Sequence, residues 1–470
     1  MRLFNYNCQM LGDNIQIHTI GCEASMSDAY NFACTLPQDQ KAIVFSTCSF
    51  IEDRSLESVM LTRILMKAYP DYKMYIIGCD VNLDKNKYDY CDNVYRNEDV
   101  AQIIKNRKIL EDVRIKGIIP DCIEDPIINI KVQDGCNFKC TYCIINKLRN
   151  KPYSVPYKEL VRLIKEQIKT RPNYHTVVLS GTEITSYYDE ETGFYMSDVL
   201  KHLIQDIPDI KRITLSAIDP QPKEAEEIIK TISSSDKFIQ YVLLGVQSGS
   251  DTILKLMKRR HNVNRVRQLH KLAKELGVTL GWDMIIGFPG ETEELFMETY
   301  NLMAELQPFT QNIFMYSDRE GTEATQMENK VPKDVQIHRD RMVHELMFKY
   351  SQENNYFNSF SEYADEAIRH EQTDVNRQRA LEIMLEDESE HWLDIFDESA
   401  VASFIKERPE DTIIHIRYDM ERDVESEIMI DFFKYFMRGI PLIVHVPEEF
   451  TKKYNVKDFE NLFHCIIKVD

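Results

Sequence analysis

Between residues 125 and 345 the chain repeats one pattern six times: a short apolar run of strand character, then a longer segment with apolar residues on one helical face. The strand-like runs are 127–133, 175–180, 212–218, 241–247, 278–287 and 311–316. Such alternation predicts a parallel sheet with helices packed on it. Six units predict a partial TIM-like (β/α)6 barrel with its chemistry at the carboxyl ends of the strands. The helix starts carry their own signals. Ser154, with Pro156 behind it, is the expected N-cap of the first helix. Segment 262–276 ends at Gly277, a glycine stop, and the acids Glu291, Glu293 and Glu294 favour the N-terminus of another helix.

Directly after the first strand-like run comes Cys136-Asn137-Phe138-Lys139-Cys140-Thr141-Tyr142-Cys143, a CxxxCxxC spacing. Three thiolates in one short loop hold three irons of a [4Fe–4S] cluster and leave the fourth open. A zinc site is the competing assignment, but zinc ordinarily draws four protein ligands from paired CxxC units. A second set of cysteines lies upstream. Residues 14–20, 41–46 and 73–77 read as strands, with a helix at 51–69 that has Leu56, Met60, Ile64 and Leu65 on one face. These strands run into Cys22, Cys48 and Cys79. In a parallel sheet all three lie at carboxyl ends, the edge where open α/β folds place ligands. The alternative is three buried structural thiols.

Composition narrows the class. No apolar run approaches the ~18 residues of a membrane span, and the N-terminus lacks a signal-peptide core. Eleven cysteines in 470 residues read as reduced thiols and cluster ligands of a cytoplasmic protein, with no membrane partner. The net charge is −20, and residues 351–470 hold 28 acids and 13 bases, or −15 of it. Acidity of that kind suits a polyanion poorly; it also serves plain solubility. The same region reads as helical segments, then strands at 412–416, 441–446 and 465–469 with helices at 425–437 and 456–463, a small α/β unit. The expected domains are 1–122, a parallel α/β sheet; 123–345, the barrel; and 346–470, an acidic α/β domain for substrate recognition. Cys8, Cys34, Cys91, Cys122 and Cys465 have no partner spacing and read as ordinary thiols.

Taken together, the two cysteine sets resemble the radical SAM methylthiotransferases. Further motifs join them: Gln133-Asp134-Gly135-Cys136, Leu179-Ser180-Gly181-Thr182-Glu183-Ile184-Thr185, Leu215-Ser216-Ala217-Ile218-Asp219-Pro220, Gln247-Ser248-Gly249-Ser250-Asp251, Met257-Lys258-Arg259-Arg260 and Ile286-Gly287-Phe288-Pro289-Gly290. Jointly these are highly specific over residues 10–345, and the third and fifth look most like threonylcarbamoyladenosine tRNA methylthiotransferases. The resemblance implies two [4Fe–4S] clusters, one on Cys136, Cys140 and Cys143 and one on Cys22, Cys48 and Cys79, each with an open iron. It implies S-adenosylmethionine (SAM) as cosubstrate, used once to methylate a sulfur on the second cluster and once to generate a 5′-deoxyadenosyl radical. It also implies an electron donor and a sulfur source. By family position Ser180, Gly181, Thr182 and Glu183 are expected at the methionine part of SAM, Gln247 and Ser248 at a strand end facing it, and Ile286 and Gly287 at the adenine. A purely structural turn or strand role is the alternative for each.

Two departures bear on the substrate. The tRNA-modifying members usually end in a small basic β-barrel, and here an acidic α/β region stands in its place. The family's arginine-rich segment is reduced to Arg149-Asn150-Lys151-Pro152-Tyr153. Both losses remove phosphate contacts. A peptide or protein substrate is therefore placed ahead of tRNA, with a non-catalytic Fe–S scaffold third. Phe432, Phe433, Tyr435, Phe436 and Met437 suit a peptide groove or a helix core. Lys258-Arg259-Arg260 is the best basic cluster of the barrel, although such a run is more often a solvated face.

Overall fold

The computed structural model describes residues 7–20, 22–49, 52–105, 115–117, 127–149, 151–170, 176–309, 311–353, 391–407, 414–422, 426, 429–430, 442–453, 456 and 466–469. The expectations for Cys122, Cys465, the helical segments before 391 and the aromatic run 432–437 lie outside these residues. So do large parts of the helices expected at 425–437 and 456–463.

The first unit is a five-stranded sheet of β1 (Asn7–Leu11), β2 (Ile15–Thr19), β3 (Ala42–Thr47), β4 (Lys73–Gly78) and β5 (Ile115–Gly117), in the order β4-β3-β2-β1-β5. β2, β3 and β4 are parallel. The all-parallel expectation is corrected at the other edge, where β1 runs antiparallel to both β2 and β5. The cause is a tight turn, Gly12-Asp13-Asn14, whose Gly12 has φ +65°, a backbone that glycine adopts freely. Strand side chains alternate between faces. Ala42 and Val44 therefore pack with Ala29, Tyr30, Phe32 and Ala33 of α1 (Glu23–Ala33). Ile43 and Phe45 pack with Leu61, Ile64 and Leu65 of α2 (Glu52–Ala68).

The middle unit holds β6 (Ile127–Asp134), β7 (Tyr153–Ser154), β8 (Thr176–Gly181), β9 (Ile213–Leu215), β10 (Tyr241–Gln247), β11 (Thr279–Ile286) and β12 (Gln311–Met315). Two hydrogen-bonded runs, β7-β6-β8-β9 and β10-β11-β12, are joined by a parallel bridge between Ile218 and Leu244. The six expected strands are all present and parallel along the run, as a radical-SAM-like partial barrel requires. Helices Tyr157–Thr170, Met196–Asp206, Lys223–Ile232, Val263–Leu276 and Glu293–Leu306 intervene. Ser154 is not the first N-cap; it forms β7, and its hydroxyl accepts from the Tyr188 amide at 3.0 Å. Asn262 does cap its helix, accepting from Arg265 N, and Gly277 closes it at φ +72°. Glu291 lies just before the next helix, which Thr292 caps.

One face of β6, with Ile128, Ile130 and Val132, enters the barrel core. The other carries Asn129, Lys131 and Gln133, and α1 lies against it. Lys131 N donates to Ser27 Oγ at 3.1 Å and Asn129 Nδ2 to Met26 Sδ at 3.8 Å.

The last described strands, β13 (His391–Trp392), β14 (Ile414–Arg417), β15 (Leu442–Val446) and β16 (Ile466–Val469), pair in sequence order, all parallel. β13 is an addition to the three strands expected. This sheet does not stand apart from the N-terminal one. Val401, Ala402 and Phe404 of helix Glu398–Glu407, with Ile414, Ile416, Val444 and Val446, share one apolar core with α2 and the N-terminal sheet. Lys67 on α2 pairs with Glu398 at 2.7 Å.

A pH response follows from one buried ring in the barrel. Trp282 Nε1 donates to His270 Nε2 at 2.7 Å, which needs that nitrogen unprotonated. Burial disfavours the imidazolium and holds His270 at about 4, below its usual 6.5, against an opposing pull from Glu305. The unfolded chain takes up a proton near 6.5 that the folded chain refuses until about 4. This contribution is therefore complete above the upper value and is lost as pH falls towards the lower. Melting curves followed by tryptophan fluorescence from neutral pH down to mildly acidic should show a falling midpoint. His270→Gln, which still accepts from Trp282, should flatten that slope.

Candidate active site

The cysteine loop 136–143 leaves the carboxyl end of β6, and four of the sequence motifs close around it. Gln133 Nε2 donates to Gly135 O at 2.7 Å, while its Oε1 accepts from Glu183 N at 2.8 Å. Gly135 N donates to Thr182 Oγ1 at 3.2 Å. The far side of the loop is held by the Met257-Lys258-Arg259-Arg260 run. Thr141 N and Oγ1 donate to Met257 O and Leu256 O at 3.1 and 2.9 Å. Arg259 Nη2 donates to Asp219 Oδ2 and Gly245 O, both at 2.8 Å, and Nη1 to Cys140 Sγ at 3.6 Å. The Arg260 guanidinium lies 3.4 Å from the centre of the Phe138 ring, and Lys258 pairs with Glu323.

This run is therefore a brace for the cysteine loop, not a patch of free cations. A positive run in the sequence reads as surface until its counter-charges are placed. Asp219 lies 40 residues upstream of Arg259, and only the fold brings them together.

The electrostatics are those of a half-closed pocket. Burial, then Asp219, push Glu183 up to about 8, although Arg259 and Arg260 pull the other way. Burial pushes the free thiols of Cys136 up to about 11 and of Cys143 up to about 12. They are poor thiolates until a cation binds, and iron deprotonates a coordinating thiol outright. Phe138 N already donates to Cys136 Sγ at 3.3 Å. This donor set, three thiols with a backbone N–H and a guanidinium aimed at two of them, suits an anionic iron–sulfur cluster. Among the described residues no three His, Cys, Asp or Glu side chains close on one ion-sized point. A four-iron cube asks for wider spacing, because each thiolate binds its own iron.

The residues expected around SAM occupy different settings. Thr182 and Glu183 stand at the end of β8 beside the cysteine loop. Ser180 is fully buried, its hydroxyl donating to Ile130 O, and Gly181 N donates to Ser216 Oγ. Gln247 ends β10 with φ +71°. The Ser248 hydroxyl is engaged by Ser250 N and Thr299, on the helix side. Ile286 is core. Gly287, at φ +75°, donates to Glu291, and a Cβ there would meet Gln336 at 2.4 Å.

Cys22, Cys48 and Cys79 follow the carboxyl ends of the adjacent parallel strands β2, β3 and β4. Cys22 caps α1; its sulfur is 3.7 Å from Ser25 Oγ. Cys48 N donates to Ser58 Oγ on α2. Cys79 opens a short helix, α3 (Cys79–Leu83), after Gly78, whose φ of +109° brings the strand end against Thr47, where a Cβ would sit 2.4 Å from Thr47 O. Buried Cys79 packs with Ile144 and Leu148, the residues just beyond Cys143, and Asn82 of α3 donates to Leu148 O. The end of the N-terminal sheet thus rests on the segment that leaves the CxxxCxxC loop. Cys34 and Cys91 are buried elsewhere, as ordinary thiols.

A partial barrel with three cysteines looped from its first strand defines a class, and residues 130–303 match the Radical SAM superfamily. Similar proteins extend beyond the barrel. The threonylcarbamoyladenosine tRNA methylthiotransferase MtaB of Rickettsia prowazekii is 28% identical over 364 residues, 73% of this chain and 84% of that protein. A tRNA-2-methylthio-N(6)-dimethylallyladenosine synthase of Clostridium tetani is 29% identical over 374 residues, 72% and 82% respectively. Over a shorter stretch, 48% of this chain and 54% of the relative, MtaB of Aquifex aeolicus reaches 34%. The chain carries a radical SAM domain, is similar to radical SAM methylthiotransferases over most of its length, and is an enzyme of that type. Among the described residues no helix is long and apolar enough to cross a membrane.

Proposed function

We propose that the chain converts a C–H bond of its substrate to C–SCH3 using two [4Fe–4S] clusters and two molecules of SAM. The observation that carries this reading is the packing of Cys79 on Ile144 and Leu148. It sets the Cys22/Cys48/Cys79 region beside the Cys136/Cys140/Cys143 loop. The second triad would hold the radical-forming cluster and the first the sulfur-carrying one. When bound and reduced, such a pair supplies an organic radical and a methylated sulfur, chemistry outside the reach of side chains. The chain's own residues bind and orient. Glu183, a carboxyl group held at about 8 by burial, stands ready for an amino group, the half-exposed Arg260 offers its guanidinium for a carboxylate, and Arg259, Gln133 and Thr182 fix the loop. An outside electron donor and a sulfur source complete the requirements.

For the substrate, tRNA leads. The relatives matched across nearly three quarters of this chain are named for tRNA adenosines, and we infer N6-threonylcarbamoyladenosine as the target. This reverses the order set by composition alone. A peptide substrate keeps specific support. Arg149 and Arg259 are buried in ion pairs, the tail sheet is parallel, and Tyr153, Tyr188 and Tyr195 stand exposed near the ends of β6 and β8. The test is anaerobic reconstitution with iron and sulfide, then incubation with SAM and reductant against bulk tRNA and, separately, peptides encoded beside the gene. Methylthiolation adds about 46 Da, CH3S replacing H. A shifted adenosine supports tRNA; a shifted peptide replaces it with the peptide reading. Neither, with SAM still cleaved, would sink both.

A further inference from the structure

We propose that Arg149 is a positioning residue that clamps the two cysteine sites into one relative placement, an inference that rests on the two-cluster reaction above. Its side chain is 5% exposed and lies between the two units. Nη1 is 3.2 Å from Asp28 Oδ2 on α1 and 3.1 Å from Asp134 Oδ1 at the end of β6. Nη2 donates to Ser25 Oγ at 3.3 Å, and Ser25 is the residue that touches Cys22 Sγ. Lys131 completes a four-charge cluster, pairing with Asp28 and, at 3.0 Å, with Asp134.

Each carboxylate belongs to a different site. Asp28 rides on the helix that Cys22 caps, and Asp134 lies two residues before Cys136. Arg149 itself follows Leu148, which packs on Cys79. A buried guanidinium whose Nη1 bridges two carboxylates while its Nη2 holds a serine hydroxyl has one preferred geometry, unlike a solvated pair. Such a network stabilises little in net terms, and its best-attested role is to fix a register. Here the register is the distance between the group that forms the radical and the group that carries the sulfur. A displacement of about 1 Å between reacting groups costs about a hundredfold.

The test compares full-length, reconstituted wild type with Arg149→Gln and Arg149→Lys. The readouts are iron content, the dipolar coupling between the two reduced clusters by pulsed EPR, and 5′-deoxyadenosine formed per methylthiolated product. Arg149→Gln should shift or broaden the coupling and raise the ratio about tenfold or more, with Arg149→Lys between. Asp28→Asn loosens the same bridge from the α1 side without touching Asp134, and guards against a Gln variant that fails to fold. It should move both readouts the same way by about threefold. If Asp28→Asn and any folded Arg149 variant keep wild-type coupling and ratio, the clamp is wrong. If the wild type itself loads one cluster, the two-cluster reading fails and takes the clamp with it. If the wild type loads two and makes product, only the clamp is at stake.

Discussion

A Cys79→Ala enzyme should load about four irons per chain in place of about eight, lose C–SCH3 formation, and still release 5′-deoxyadenosine from SAM. The split follows from where the thiol lies. Cys79 is a ligand candidate for the N-terminal site only, while Cys136, Cys140 and Cys143 stay on a loop braced by Met257 and Arg259. Unfolding does not account for the expected loss, because deleting one buried sulfur costs about 1 kcal/mol. Cys91→Ala supplies the control. It removes a similarly buried thiol that packs in the apolar core and donates to a backbone carbonyl, Met74 O, and it should keep all the iron and the full product yield. Iron assay, EPR of the reduced protein and mass spectrometry of both products distinguish the outcomes. A Cys79→Ala enzyme that still methylthiolates would remove the N-terminal triad from the reaction.

Arg259→Ala should be more damaging to the whole barrel mouth. Asp219 is 2% exposed in its side chain, and its remaining cation, Arg260, stands 3.6 Å away on a half-exposed side chain. Breaking a buried pair from one side costs about 3–5 kcal/mol, because the other charge is left uncompensated. Gly245 O also loses its guanidinium, and Cys140 its donor. The expected result is a lower denaturation midpoint together with failure to hold the radical-forming cluster. Arg259→Lys should recover part of the stability, since an ammonium reaches one partner but cannot span Asp219, Gly245 and Cys140 at once. The double variant Arg259→Ala/Asp219→Ala separates the two roles. It should regain stability by removing the orphaned carboxylate, and it should not regain SAM cleavage. Full recovery of cleavage would show that Arg259 acts only as a counter-ion.

Much of this was legible in the residues. The six barrel strands lie within two to three residues of where apolar runs and turn residues placed them, because each must bury one continuous face. The three N-terminal cysteines were legible as strand-end residues for the same reason. Where the structure departs from the sequence pattern, the causes are physical too. Ser154 looked like an N-cap because serine followed by proline suits a helix start, but the edge of β6 offered it a strand partner. The antiparallel β1 lacks a clear strand pattern of its own, although Gly12-Asp13-Asn14 marks its turn. The alternation of Asn129, Lys131 and Gln133 along β6 marked a polar face, with nothing in the local sequence to show that α1 covers it.

What the sequence by itself determined is therefore the periodic and the covalent: strand–helix alternation, a three-cysteine loop fixed by spacing, and the residue types a radical SAM enzyme needs. These depend on neighbours a few positions apart. What only the tertiary structure decided is pairing at long range. Arg259 meets Asp219, Arg149 joins Asp28 to Asp134, Cys79 lands on Ile144, and the tail sheet shares its core with α2. Each is a buried charge or apolar surface that must find a complement. The sequence shows the need for one, but which complement satisfies it is settled only when the whole chain has packed.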